Sequence, residues 1–244
     1  AVYEVIEVLG GRLIDEERHL DRLGRSLAGI GMAEPMSRAA LAHVIRQTIR
    51  RNHVRDGTVY LQVTRGAAPR DFLFPSAEVA PTLVAIARPG SQARLARLAE
   101  AGIAVKTMPD IRWGRCDLKT VMLLPATLAK EAAKAGGAKE AWLVDGHGLV
   151  TEGASSNAWI VDSGGALRTR PKGSDILPGV TRATLIDAIA GLGLSLEERA
   201  FTVEEARNAR EAFITAASQT VMPVVEIDGA AIGDGKPGPV TRLL

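Results

Sequence analysis

Cysteine is almost absent from this chain: Cys116 is the only one in 244 residues. An intrachain disulfide is therefore excluded, and a reducing compartment, the cytoplasm, is the expected setting. Aromatic residues make up only 4%, so the core must be mainly aliphatic. A hydrophobic fraction of 46% is enough to build one. Neither sign of charge dominates, since 30 basic and 28 acidic residues leave a formal net charge of +2. That balance argues against a nucleic-acid partner. No apolar run approaches the length of a membrane span, and no signal peptide is visible, so no membrane partner is expected. The histidines His19, His43, His53 and His147 lack metal-ligand spacing, and no metal site is expected. There is no GxGxxG fingerprint. GASSN at 153–157 lacks the GxSxG frame of a nucleophile elbow. IGDGKPG at 232–238 has Pro237 where a phosphate loop needs Ser or Thr, and reads as a turn.

What is present is a mixed pattern of strands and amphipathic helices. VYEVIEVL reads as a strand, GG as a turn and RLIDEE as the returning strand. Leu20, Leu23, Leu27 and Ile30 repeat at helical spacing. Ser37 can cap a second helix whose apolar face is Leu41, Val44, Ile45 and Ile49, leaving Arg46, Arg50 and Arg51 in solvent. GTVYLQVTRG and TLVAIAR read as strands, and RPGSQ at 88–92 as a linker. Beyond it come a short helix, the strand IAVKTM, and a helix with Pro125 in its first turn. Two hairpins follow, EAWLVDGHGLVTEG and SSNAWIVDSGGALRTR, then a helix with Leu185, Ile186 and Ile189 inward, then the strands EAFITAAS and VMPVVEIDG. Hairpins outnumber βαβ units, which predicts an α+β fold.

Three segments carry candidate chemistry. Lys119 stands among Leu118, Val121, Leu123 and Leu124. Burial there would favour its neutral amine, a nucleophile toward carbonyls and so suited to a Schiff base with pyridoxal phosphate. Glu152, in VTEGASSN, offers a carboxylate. GVTR at 179–182 reads as a helix start, whose backbone N–H groups attract phosphate. Each feature has an ordinary alternative: a snorkelling lysine, a turn carboxylate, a helix capped by Thr181. Their joint occurrence in this order is harder to explain that way.

The strings VYEVIEV, ERHLDRL, YLQVTRGAAPRDFLFP, DIRWGRCDLKTVMLL, VTEGASSNAW, ILPGVTR, EAFITAASQTVMPVVEIDG and GDGKPG extend over nearly the whole chain. In them the chain resembles the class IV (fold type IV) pyridoxal-phosphate aminotransferases, and within that family the D-amino acid aminotransferases. The resemblance implies a two-domain α+β fold, with a small N-terminal domain at 1–88, a larger domain at 93–244, and the cofactor in the cleft between them. It implies a homodimer in which Arg70 is lent to the other subunit's site. The opening at Ala1 within a strand, without the family's preceding strand, and the ending at TRLL lead to the expectation that both ends are cut.

Residue by residue, the resemblance makes Lys119 the catalytic residue, holding pyridoxal 5'-phosphate as an aldimine and then shuttling a proton. It assigns Arg22, Val180, Thr181 and Ala217 to the cofactor phosphate, Ser218 lying next to Ala217. Glu152 would meet the pyridine nitrogen, and Leu177 would lie beside the ring. Tyr3 and Arg70 match positions that hold the substrate carboxylate. The pattern departs at Phe72, where the D-specific enzymes have histidine, and at Met122, commonly asparagine. The implied reaction is ping-pong transamination, from a D-amino acid such as D-alanine to 2-oxoglutarate, giving pyruvate and D-glutamate. On the same scaffold the alternatives are a branched-chain L-amino acid or (R)-amine aminotransferase and an aminodeoxychorismate lyase. A non-catalytic dimer, or a phosphate-binding protein without Schiff-base chemistry, is the alternative of another class.

Overall fold

A computed structural model describes residues Ala1–Leu244. The chain divides into two compact units, Ala1–Gln92 with Leu118–Val121, and Ala93–Asp117 with Met122–Leu244.

The first unit contains β1 (Val2–Leu9), β2 (Arg12–Leu13), α1 (Glu16–Gly29), α2 (Arg38–Arg51), β3 (Gly57–Thr64) and β4 (Thr82–Pro89). Its strands form one antiparallel sheet in the order β2-β1-β3-β4. The return strand is shorter than RLIDEE. Asp15 takes a left-handed conformation with φ 52°, and Glu16 and Glu17 open α1 instead. Acidic side chains there face the positive end of the helix dipole, which favours helix over a longer strand. The period of two in β1 and β3 turns Val2, Ile6, Val8, Val59, Leu61 and Val63 to one face. Leu20, Leu23 and Leu27 of α1 and Leu41, Ile45 and Ile49 of α2 complete this core. Ser37 caps α2 by accepting the Ala40 amide at 3.3 Å. Arg46, Arg50 and Arg51 lie off the buried face of α2, as the helical spacing predicts.

In the second unit are α3 (Gln92–Ala101, whose first residue belongs to the other unit), β5 (Ile103–Pro109), α4 (Leu124–Ala135), β6 (Glu140–Val144), β7 (Val150–Gly153), β8 (Asn157–Val161) and β9 (Leu167–Thr169). They continue with α5 (Val180–Gly191), β10 (Leu196–Glu198), α6 (Val203–Arg207), β11 (Glu211–Ala216), β12 (Thr220–Ile227), β13 (Ala230–Ala231) and α7 (Pro239–Leu243). The sheet order is β10-β9-β8-β11-β12-β5-β6-β7, with β13 on β12. Both expected hairpins form, as β6–β7 and β8–β9. Parallel pairs also occur, β5 with β6 through the crossover helix α4, and β12 with β5.

The central strands β8 and β11 are buried along nearly their whole length, so apolar side chains fill both of their faces. Ala158, Ile160, Ala212 and Ile214 face a core with Trp142 and Phe201. Trp159, Val161 and Phe213 face the opposite way, against Leu185 and Ile189 of α5. The paired residues Trp159 and Phe213 stack at 5.4 Å, and the Trp159 indole N–H donates to Thr215 Oγ1 at 3.0 Å. No helix is long and apolar enough to cross a membrane.

Ile45 is fully buried in the first unit. Ile45→Ala should lower unfolding free energy by about 2–5 kcal/mol, measured by denaturant titration.

Candidate active site

The lysine segment is held by backbone bonds rather than by its apolar neighbours. Thr120 bridges Val2 in antiparallel fashion, and the Tyr3 amide donates to the Lys119 carbonyl at 3.0 Å. The Lys119 amide donates to Ser26 Oγ of α1 at 3.1 Å. Leu118 is buried against Gly29, where an added Cβ would lie 2.5 Å from its Cδ2. This corrects the expected surroundings of Lys119. Val121, Leu123 and Leu124 are 38%, 42% and 68% exposed, and Lys119 itself is half-buried. The physical reason is geometric. Residues 118–121 lie along the start of β1, whereas Leu123 and Leu124 belong to the start of α4 in the other unit. What faces the Lys119 amine is the ring of Tyr3, 4.3 Å from Nζ to the centroid. Tyr3 in turn stacks on Tyr60 at 5.7 Å.

Arg22, on the inner face of α1, meets a partner that the sequence reading missed. Glu4 Oε1 accepts from Arg22 Nε and Oε2 from Nη2, both at 2.8 Å. His19 Nδ1 lies 2.8 Å from the same Oε2. All three side chains are buried. Burial pushes the Glu4 carboxyl up, but Arg22, His19 and the charge of Lys119 together bring it down to about 2.

In the second unit, Glu152 lies in β7 and is 4% exposed. It accepts from the Leu177 amide at 3.1 Å and from Asn157 Nδ2 at 2.9 Å. Arg112 Nη1 donates to it as well. Arg112 also grips Asp110 with Nε at 2.9 Å and Nη2 at 2.7 Å, and donates to the Asp175 carbonyl at 3.0 Å. Burial works against its charge, but the bond to Asp110 and the charge of Glu152 outweigh it and raise its pKa. Glu152 is thus a fixed buried carboxylate already matched by one cation. Burial likewise pushes the nearby Cys116 thiol up to about 11, which disfavours its thiolate.

The helix α5 starts at Val180 with Gly179 as its cap residue, and no side chain caps it. Thr181 therefore does not act as the cap. The first amides of a helix have no acceptor within it, so Val180 and Thr181 offer N–H groups to an anion. Gly179 is required for close approach, since a Cβ there would meet Asn157 Oδ1 at 2.0 Å. The Leu177 carbonyl accepts from the same Asn157 at 3.0 Å, which links this turn to Glu152. Ala217 lies in the turn between β11 and β12, where the Gln219 amide donates to the Ala216 carbonyl at 3.1 Å.

The two residues matched to the substrate carboxylate have different settings. Tyr3 is anchored in β1, whereas Arg70 lies in the exposed segment joining β3 and β4, its guanidinium 4.5 Å from the ring of Phe72. Phe72, Leu73 and Phe74 are 87%, 78% and 71% exposed.

The family model described as amino-transferase class IV matches residues 1–227. This chain belongs to the class IV aminotransferases. Among curated relatives, the D-alanine aminotransferase of Staphylococcus haemolyticus is 40% identical over 243 residues, covering 100% of this chain and 85% of its own. That of Bacillus licheniformis is 39% identical over 241 residues, covering 99% and 83%. Among solved structures, a branched-chain amino acid aminotransferase of Escherichia coli has a TM-score of 0.90 at 25% identity, covering 99% of this chain and 82% of that one. The T.th. branched-chain amino acid aminotransferase with pyridoxamine 5'-phosphate has a TM-score of 0.87 at 26% identity, covering 99% and 81%. The fold is therefore the fold type IV expected from the sequence, and the protein is an aminotransferase.

Two outcomes follow from the charges. Because the folded-state pKa of Glu4 lies below its usual 4.5, its contribution is present above that value and is lost as pH falls toward 2. Unfolding free energy measured against pH should fall in this window, by up to about 3 kcal/mol from this group, and Glu4→Gln should flatten the curve. Arg112→Met leaves Glu152 and Asp110 without their shared cation, and should cost about 3–5 kcal/mol in the same assay.

Proposed function

We propose that this aminotransferase takes the amino group of a D-amino acid, D-alanine foremost, and passes it to 2-oxoglutarate in a ping-pong cycle, yielding pyruvate and D-glutamate. The observation that carries this reading is the match, at 39% and 40% identity over the chain's length, to relatives named D-alanine aminotransferase. Pyridoxal phosphate is the cofactor of this family, and the donor set of the chain fits it. Glu152 is a buried, oriented carboxylate, α5 begins without a side-chain cap, and Gly179 lets that turn lie close against Asn157.

When bound, the cofactor supplies an electrophilic carbonyl and an electron-withdrawing ring. Glu152 would face the ring nitrogen and keep its proton in place, with Leu177 beside the ring. Arg22 and the amides of Val180, Thr181 and Ala217 would hold the phosphate. Lys119 Nζ would anchor the cofactor and then move the proton at the substrate Cα. Tyr3 would orient the substrate carboxylate. Arg70, on its exposed segment, would do so for a neighbouring subunit in a homodimer. With Cys116 as its only thiol, the enzyme is suited to the cytoplasm. Phe72, where a histidine is expected beside Arg70, favours a second reading with a less polar donor, such as a branched-chain amino acid or an (R)-amine.

Wild-type protein with pyridoxal phosphate should show a visible absorbance band that D-alanine bleaches. Lys119→Ala should lack the band and lose turnover by about 10³-fold or more. Bleaching by L-leucine and not by D-alanine would move the donor to the second reading.

A further inference from the structure

We infer that Glu4 is a positioning residue for cofactor binding: its carboxylate aims the Arg22 guanidinium so that the site selects a phosphorylated cofactor. This rests on the reading of Arg22 as a phosphate ligand.

In β1 the inward positions are Val2, Glu4, Ile6 and Val8, so a carboxylate stands in an otherwise apolar row. Glu4 is 0% exposed, and the apolar side chains of that row pack with Leu20, Leu23 and Leu27 in one core. Stability does not call for a charge there. A buried ion pair replaced by well-packed apolar side chains is often neutral or gains stability. Three donors nevertheless converge on Glu4, each at 2.8 Å: Arg22 Nε, Arg22 Nη2 and the ring nitrogen Nδ1 of His19. His19 and Arg22 share one face of α1 through their spacing of three. For Oε2 to accept from both, His19 must carry its proton on Nδ1.

Two of these three bonds grip the guanidinium as a fork. The fork made by Nε and Nη2 fixes both the plane of the group and its rotation about the side chain. A mobile arginine would lose that rotamer freedom on binding an anion, whereas here the freedom is lost on folding. The guanidinium so oriented is the group we assign to the phosphate. The neighbouring residue Tyr3 holds the Lys119 carbonyl, so a single strand registers both the phosphate arginine and the lysine.

Charge alone predicts the opposite effect. The Glu4 carboxylate offsets the charge of Arg22, so removing it should strengthen attraction for a dianion. Positioning predicts weaker selection of the phosphate. The sign of the change in Glu4→Gln therefore separates the two.

The test is equilibrium titration of the apo full chain with pyridoxal phosphate and with pyridoxal, which lacks the phosphate, followed by absorbance. The ratio of the two affinities is the readout. In Glu4→Gln the ratio should fall about tenfold, with pyridoxal affinity unchanged. Glu4→Asp keeps the charge but retracts the acceptors, and the ratio should fall about threefold; this variant decides if thermal unfolding shows that Glu4→Gln does not fold. An unchanged or higher ratio in the folded variant overturns the proposal. Arg22→Met separates the underlying reading. If it keeps the wild-type ratio, Arg22 is not a phosphate ligand and both fall. If it loses the ratio while the Glu4 variants keep it, Arg22 stands and Glu4 is only structural.

Discussion

The hydrogen bond from the Tyr3 amide to the Lys119 carbonyl is the constraint on which the candidate site depends. The chain leaves the first unit after Gln92, builds a helix and a strand of the second, and returns for Leu118–Val121 alone. Backbone groups hold that return: the bridge of Thr120 to Val2, and the Lys119 amide on Ser26 of α1. A long flexible side chain set on such a fixed base can move its amine without moving its attachment. For the role proposed for Lys119, binding a carbonyl and then carrying a proton, this combination of fixed root and mobile tip is the useful one.

The charged groups on the two units follow one design. Glu4 and Glu152 are both buried, both ionic partners of an arginine, and both bonded to a further side chain. Isolated carboxylates so placed would take up protons or unfold the chain. Held this way, the Glu4 carboxyl is brought down to about 2. The two arginines differ in how they are engaged. Arg112 spreads its donors over Asp110, Glu152 and the Asp175 carbonyl, and so serves to hold Glu152 and its surroundings. Arg22 is gripped by Glu4 through Nε and Nη2, a fork that fixes the plane of the group.

Legibility from sequence varied with the range of the interaction. Glu4 was open to discovery, because alternation in VYEVIEVL places it between Val2 and Ile6 on one face, where a carboxylate needs a partner. His19 and Arg22 at a spacing of three on an amphipathic helix were the matching signal. Arg112 had no such local sign. It stands near Asp110 in the chain, but its bond to Glu152 spans 40 residues, and no periodicity links them. The apolar run around Lys119 misled for a related reason. Apolar neighbours in sequence bury a side chain only if they fold around it, and Leu123 and Leu124 are exposed where α4 begins.

By itself the sequence determined most of the elements and the family. Periods of two and 3.6, caps, glycine turns and proline positions are local, and local backbone physics reads them directly. The strings shared with the class IV aminotransferases pointed to Lys119, Glu152 and the α5 start as the residues of the proposed site. Tertiary structure alone decided how Lys119 is held, which carboxylate meets Arg22, and which arginine matches Glu152. These are contacts between segments far apart in the chain, and their energies depend on distance and burial that no linear pattern contains.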